Sequence, residues 1–201
     1  MKLKPSWLLL SLLPLAIVAM IARSTLAHAQ DTSALRPPKG ANLALVVFED
    51  LECPQCSRVH PLLENAARTY KIPLVHYDFP LPDHPWSFDA AVLARYFETK
   101  SKKLGDDFRD YVFLHQAEIT KGNLRGFAER FAAEHRTVVP FAVDPQGKLA
   151  GAIRADRDLG ERVGIRHTPT VYIVSNSRTT PFVEVVDHSQ LFQMIDSIKA
   201  E

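Results

Sequence analysis

The chain has 201 residues, which is the size of one ordinary domain with a sizeable hydrophobic core. Hydrophobic residues make up 46% of it and charged residues 23%, as in a typical globular protein. Its formal net charge of +1 offers no strongly basic surface, so we expect no nucleic-acid partner.

Residues 1–29 have the pattern of a secretory signal peptide. A short basic start at Lys2 and Lys4 precedes an apolar run over residues 7–21, and Ala27-His28-Ala29 offers the small residues that signal peptidase requires. We expect cleavage after Ala29 and export to the periplasm. The alternative is an uncleaved membrane anchor, although the run is shorter than the ~18–20 apolar residues that usually span a bilayer.

The folded part is expected to begin with a strand–helix–strand unit. Residues 30–40 resemble an extended lead-in without a core face. Residues 43–48 are continuously apolar, as in a strand buried on both sides of a sheet. A helix over residues 57–70 and a second strand over residues 72–79 follow, which predicts a βαβ unit with parallel strands.

The middle third of the chain has helical periodicity. The clearest apolar stripes lie within residues 88–97, 108–112 and 124–132. Asn123 is expected to cap the third of these helices. Asp144 and Pro145 have the pattern of a further helix start, and Gly164 that of its end.

The β pattern returns after these helices. Residues 170–174 are β-branched and aromatic, and residues 182–186 follow a polar turn as an antiparallel partner. Asp187 and Gln190 have the spacing of a capping box for a final helix. The predicted order is therefore βαβ, a helical block, then ββα.

The chain has two cysteines, Cys53 and Cys56, where the first strand gives way to its helix. Cys53 is placed at the helix N-terminus, where unpaired N–H groups and the helix dipole stabilise a thiolate. A disulfide across two residues closes too short a loop to stabilise the fold much, so reactivity explains the pair better. An inert disulfide and a metal site remain alternatives, and His60 and His167 are the further metal ligands we would name.

Two segments resemble the DsbA-like thiol-disulfide oxidoreductases. They are Phe48-Glu49-Asp50-Leu51-Glu52-Cys53-Pro54-Gln55-Cys56, followed by Pro61, and Gly164-Ile165-Arg166-His167-Thr168-Pro169-Thr170. The resemblance implies an α/β protein with a thioredoxin fold (βαβ … ββα) and an inserted helical domain. Its N-terminal half would span residues 41–84, the inserted domain 85–163 and the C-terminal half 164–201.

The resemblance also implies roles for individual residues. Cys53 and Cys56 would be the catalytic pair. Pro169 would be a cis proline, and Thr168 would bind an extended substrate peptide and offer its hydroxyl to the sulfur; the alternative is an ordinary trans proline before an edge strand. The thiols would be tuned by Pro54, Gln55 and His167. No cofactor beyond the dithiol and no metal is implied.

The sequence departs from the family pattern at two positions. Val47 stands where many relatives carry a buried carboxylate, which leaves the proton acceptor for Cys56 unassigned. Gln55 replaces the histidine of the strong oxidants, so we expect a milder oxidant. The nearby acidic residues are expected to form a solvated or capping cluster; they are Glu49, Asp50 and Glu52.

These observations predict an exported, monomeric thiol-disulfide oxidoreductase. Its partners would be protein thiols and disulfides, together with a membrane redox protein that recycles the dithiol. The competing interpretation is a non-enzymatic envelope protein whose dithiol binds a soft metal ion such as Cu(I). The sequence leaves the direction of electron flow open.

Overall fold

The computed structural model describes Thr32, residues 35–177 and residues 179–200. The predicted signal peptide, with its cleavage site and the alternative membrane anchor, lies outside these described residues. Within them, no helix has the length and apolar character needed to cross a membrane.

A four-stranded mixed sheet lies at the centre of the fold, in the order β2-β1-β3-β4. β1 pairs in parallel with β2 and antiparallel with β3, and β3 pairs antiparallel with β4. The predicted parallel βαβ unit and the antiparallel ββ unit are both confirmed. The strands are β1 (Leu43–Glu49), β2 (Leu74–Asp78), β3 (Thr170–Ser175) and β4 (Phe182–Glu184).

The helices follow the predicted order along the chain. They are α1 (Pro54–Tyr70), α2 (Ser87–Glu98), α3 (Lys102–Leu114), α4 (Leu124–Glu134), α5 (Lys148–Val163) and α6 (Leu191–Ala200). α1 connects β1 to β2, α2 to α5 lie between β2 and β3, and α6 follows β4. This is the predicted thioredoxin fold with a helical segment between its halves, whereas the domain boundaries drawn from the sequence remain a prediction.

β1 organises the core because all seven of its residues are buried. Alternate side chains point to opposite faces of the sheet. Leu45 and Val47 therefore pack in one apolar layer, together with residues of α1 and α6. Val46 and Phe48 pack in the layer on the other face, together with Val163 at the end of α5. A third cluster unites the aromatic residues of α2 to α4 with both cysteines.

The expectation that the lead-in lacks a core face is wrong for one residue. Leu35 is fully buried and packs with Val46 and Phe48. Its backbone N–H donates to the carbonyl of Thr32 at 3.0 Å. An isolated apolar residue outside a periodic pattern has no recognisable core face, so this contact could not be predicted from local patterns.

α5 begins later than Asp144 and Pro145 predicted. It starts at Lys148, after Gly147 in a left-handed conformation with φ 66°. The Asp144 carboxylate still accepts a hydrogen bond from the N–H of Ala150 at 2.8 Å, so it satisfies one donor of the first turn from outside the helix. The predicted end at Gly164 is confirmed by its φ of 86°.

Two predicted capping arrangements form differently. Asn123 precedes α4, but its side chain accepts from the N–H of Thr120 at 2.7 Å and does not cap the helix. The Asp187 carboxylate accepts from the N–H of Ser189 at 3.0 Å. The side-chain amide of Gln190 donates to this carboxylate, whereas a capping box would join the Gln190 side chain to the backbone N–H of Asp187. Both polar side chains stabilise a tight turn next to the helix.

Candidate active site

The turn from β1 into α1 sets the position of Cys53. Its backbone is extended, with φ −74° and ψ 119°, and its carbonyl accepts from the N–H of Ser57 at 3.2 Å, the first bond of the helix. Pro54 occupies the first helical position, where a missing N–H leaves no donor unsatisfied. The predicted location of Cys53 at the helix N-terminus is confirmed.

Cys53 and Cys56 are both buried free thiols with different hydrogen bonds. The Cys53 Sγ donates to the carbonyl oxygen of Thr168 at 3.4 Å. The Cys56 Sγ accepts from the backbone N–H of Asp50 at 3.4 Å. One sulfur therefore faces the loop before β3, and the other faces the end of β1.

The two thiols differ widely in acidity. A hydrogen bond from the Cys56 thiol lowers the pKa of Cys53 to about 5, against the opposing effect of burial, and the backbone N–H groups of Gln55 and Cys56 add to this lowering. Burial raises the pKa of Cys56 far above its usual value, and the hydrogen bond to Cys53 and the charge of Glu49 raise it further. At neutral pH, Cys53 is a thiolate and Cys56 is a thiol.

The loop before β3 contributes the predicted cis peptide bond, Thr168–Pro169. This loop places the carbonyl oxygen of Thr168 3.4 Å from the sulfur of Cys53. The Thr168 hydroxyl is buried without a standard hydrogen bond among the described residues, but the Thr168 side chain helps to lower the pKa of Cys53. Its predicted bond to the sulfur stays a prediction. The hydrogen bond to the carbonyl needs the thiol proton, so only the protonated form of Cys53 makes it.

The residues expected to tune the thiols lie on the exposed side of the site. Pro54 and Gln55 are exposed, and the Gln55 side-chain oxygen accepts from Arg58 at 3.0 Å. His167 is exposed, and its Nδ1 lies 3.3 Å from the Thr170 hydroxyl. None of the hydrogen bonds between described residues joins His167 to a sulfur, and its tuning role stays a prediction.

Asp50 is buried, with 1% of its surface exposed, so the expectation of a solvated residue is wrong. Its carboxylate accepts hydrogen bonds from the N–H groups of Glu52 and Leu81, both at 2.7 Å, and lies 2.8 Å from Nδ1 of His84. Its backbone carbonyl accepts from the N–H of Cys53 at 3.0 Å. Asp50 therefore holds the turn that precedes the cysteines.

Glu49 is also buried, with 2% exposed, against the same expectation. It lies two residues after Val47 and so on the same face of β1. Its carboxylate lies 2.8 Å from Nδ1 of His76 and accepts from Arg109 at 3.2 Å. Burial raises the pKa of Glu49, but His76 and Arg109 outweigh this and lower it to about 2. A permanent negative charge is thus held near Cys56.

Glu52 and Gln116 join the turn to the helical segment. The Glu52 carboxylate accepts from the N–H groups of Trp86 and Ser87 at 2.7 and 3.0 Å. These two bonds cap the start of α2, so the expected capping role is confirmed for Glu52. The side-chain amide of Gln116 donates to the carbonyls of Leu51 and Cys53 at 2.8 and 3.1 Å. Sequence reasoning missed Gln116 because a single amide between helices forms no motif.

The metal alternative for the cysteines named His60 and His167 as the ligands that would complete the site. His60 lies one turn beyond Cys56 on α1, and its Nε2 is hydrogen-bonded to Asp110 of α3. The group of potential metal ligands found in the described part of the chain consists of His60, Glu64 and Asp110, and it includes neither cysteine.

The fold and the paired cysteines define a class of thioredoxin-fold dithiol proteins. Residues 38–187 match the family model described as thioredoxin, and the chain belongs to that family. Among solved structures, it is similar to the thiol-disulfide exchange protein α-DsbA2 from Wolbachia pipientis, with TM-score 0.64, 18% identity, and coverage of 88% of this chain and 98% of that one. ScsC from Proteus mirabilis gives TM-score 0.64 and 20% identity over 92% and 87% of the two chains.

Curated relatives match a smaller share of their own length. The chain is 26% identical to the Na(+)/H(+) antiporter NhaA 3 of Salinispora tropica, over 76% of this chain and 23% of that protein. It is 27% identical to NhaA 1 of Salinispora arenicola, over 71% and 22%. The chain therefore spans less than a quarter of the length of these relatives.

Proposed function

We propose that this protein is an exported thiol-disulfide oxidoreductase that exchanges disulfides with protein substrates through Cys53 and Cys56. The observation that carries the proposal is the asymmetry of the pair: an acidic thiol at a helix N-terminus beside a buried thiol of very high pKa. The thiolate is the species that attacks, and a thiol of low pKa is also the better leaving group.

In the oxidising direction, a substrate thiolate attacks the Cys53 sulfur and the Cys53–Cys56 bond breaks. Cys56 leaves with the electron pair and takes up a proton. A second substrate thiolate then attacks the substrate sulfur of the mixed disulfide, and Cys53 leaves as a thiolate. Two electrons pass from the substrate dithiol to the cysteine pair. In the reducing direction, Cys53 attacks and Cys56 resolves the mixed disulfide.

The low pKa of Cys53 supports an oxidant, because the thiolate stabilises the reduced pair. Its value of about 5 lies between those of a strong oxidant such as DsbA, about 3.5, and of thioredoxin, about 7, which supports a mild one. Thr168 and Pro169 would bind an extended substrate chain beside Cys53, since their loop contacts that sulfur. A membrane redox protein would recycle the dithiol of a monomer. Export is supported by the signal-peptide pattern and by similarity to a periplasmic thioredoxin-like protein from Salmonella enterica serovar Typhimurium, with TM-score 0.64 and 21% identity over 82% and 88% of the two chains.

The test is covalent trapping of substrates by single-cysteine variants. Cys56→Ser keeps the nucleophile and removes the resolving thiol, so mixed disulfides should accumulate in cells and appear on non-reducing gels. Cys53→Ser should trap none, because the remaining thiol is buried and protonated. Equal trapping by both variants would contradict the assigned roles. A cysteine pair that fails to equilibrate with glutathione would contradict the proposed activity itself.

A further inference from the structure

A second group of chemically active side chains lies in a groove between α1 and α3. The groove has a volume of about 580 Å³, and its lining includes His60, Glu64 and Asp110. His60 and Glu64 are four residues apart on α1, so they project from the same side of that helix. Asp110 reaches them from α3. One ligand atom from each residue lies within 4.8 Å of the other two.

We propose that these three side chains bind a divalent cation of the Zn²⁺ type. Nε2 of His60 and one carboxylate oxygen each of Glu64 and Asp110 supply three ligands, and a fourth position faces the groove. Zinc accepts nitrogen and oxygen ligands in a tetrahedral arrangement. Two ligands one turn apart on one helix, completed from a facing helix, are a known way to build metal sites between helices.

The imidazole determines which cations fit. Ca²⁺ and Mg²⁺ prefer sites made of oxygen atoms alone, whereas zinc, copper and nickel accept a neutral imidazole nitrogen. Two carboxylates and one imidazole bring two negative charges to a divalent cation. Metal binding needs a neutral imidazole with the lone pair of Nε2 free, so the proton that lies between Nε2 of His60 and Asp110 is displaced. An imidazolium releases one proton to solvent, and a neutral ring carries its proton on Nδ1 instead.

The burial of the three ligands suits a site that is fixed on one side and open on the other. The side chains of His60, Glu64 and Asp110 are 6%, 24% and 55% exposed. Nδ1 of His60 has no hydrogen-bond partner among the residues described, so exchanging the Asp110 contact for a metal disturbs no wider network. Arg68, at 3.5 Å from Glu64, is an exposed side chain that can move away.

The site can be tested on the oxidised protein, in which both cysteines are held in a disulfide and their thiolates cannot bind metal. Zinc chloride is titrated into the untagged protein by calorimetry, and bound zinc is measured after desalting. We expect one zinc per chain and a higher melting temperature with zinc, because the metal binds the folded form. Absence of zinc binding by the oxidised protein would overturn the proposal.

Ligand variants give the second test. Asp110→Asn and Glu64→Gln, at partly exposed positions, should weaken zinc affinity about tenfold or more. His60→Gln should abolish binding. His115→Gln is the matched control, since this histidine lies 3.1 Å from Glu118 outside the group and should leave zinc affinity unchanged. Unchanged affinity in Asp110→Asn and Glu64→Gln would show that zinc binds elsewhere. These results do not depend on disulfide exchange, so the two proposals can fail separately.

Discussion

The backbone N–H of Asp50 donates a hydrogen bond to the sulfur of Cys56 at 3.4 Å. The carboxylate of the same residue accepts from Glu52, Leu81 and His84 and is fully buried. Asp50, three residues before Cys53, therefore acts in two ways. Its side chain holds the turn together, and its main chain contacts the buried thiol.

Asp50→Asn should destabilise the protein by about 1–3 kcal/mol, because a neutral amide replaces a buried charged acceptor and presents its NH₂ to donor groups. Urea unfolding of the reduced protein measures the change. Asp106→Asn is the control, because the exposed Lys102–Asp106 pair on α3 should contribute less than about 1 kcal/mol. Similar losses in the two variants would show that the Asp50 bonds do not hold the turn.

The thiolate of Cys53 should appear with a midpoint near pH 5, measured by thiolate absorbance or by the rate of alkylation. Cys56→Ala should raise this midpoint, because the bond from the Cys56 thiol is the largest cause of the low pKa. Glu129→Gln, which changes an exposed side chain paired with Arg125 on α4 and keeps both thiols, serves as the control and should leave the midpoint unchanged. An unchanged midpoint in Cys56→Ala would assign the low pKa to the helix N-terminus alone.

The same acidity predicts the pH dependence of the redox equilibrium. The pKa of Cys53 falls from 9.0 in the reference state to about 5 in the fold. The thiolate therefore stabilises the folded reduced form fully above pH 9, and this stabilisation is lost as the pH falls through 5. At pH 7 the pair should be about 60 mV more oxidising than one with ordinary thiols. Glutathione titrations at several pH values measure the reduction potential of the pair. A potential whose pH dependence shows no change of slope near pH 5 would contradict the prediction.

Glu49→Gln should cost about 3–5 kcal/mol, because it leaves the buried charge of Arg109 without one of its partners. The pKa of Glu49 is about 2 in the fold and 4.5 in the reference state. Its contribution is therefore complete above pH 4.5 and disappears as the pH falls through 2. Denaturant unfolding at a series of pH values should show the difference between wild type and variant shrinking over this window.

The control for Glu49 is Glu129→Gln, which changes an exposed residue paired with Arg125 on α4. This variant should change the free energy of unfolding by less than about 1 kcal/mol at any pH. A small, pH-independent effect of Glu49→Gln would mean that the buried ion pair with Arg109 does not stabilise the fold.

Gly160→Ala should destabilise the protein by about 1–3 kcal/mol, because overpacking forces neighbouring groups to move. A Cβ at this position of α5 would lie 2.6 Å from the ring of Phe79 and 3.2 Å from that of Phe48. Gly151→Ala, on the same helix, meets nothing within 4 Å and should stabilise the protein by up to about 1 kcal/mol. Thermal unfolding distinguishes them, and stabilisation by both changes would contradict the close approach of α5 to the sheet.

Local patterns along the chain were sufficient for the fold class and for the position of the cysteine pair at a helix N-terminus. The apolar run of β1, the helical stripes and the position of Cys53 before Pro54 are properties of neighbouring residues, and the structure confirms each of them. The cis bond at Thr168–Pro169 followed from the family resemblance. Periodicity shows which residues face a core because side-chain direction repeats with the backbone.

The tertiary structure alone decided the surroundings of the cysteines. Glu49 and Asp50 have the sequence of a solvated acidic stretch, yet both are buried, because Arg109, His76 and His84 approach from distant segments. The amide of Gln116 likewise reaches the turn from the helical segment. The residues next to a charged side chain in the sequence do not show whether it is buried. Its burial depends on a partner that compensates the cost of desolvation, and that partner comes from an element far away in the chain.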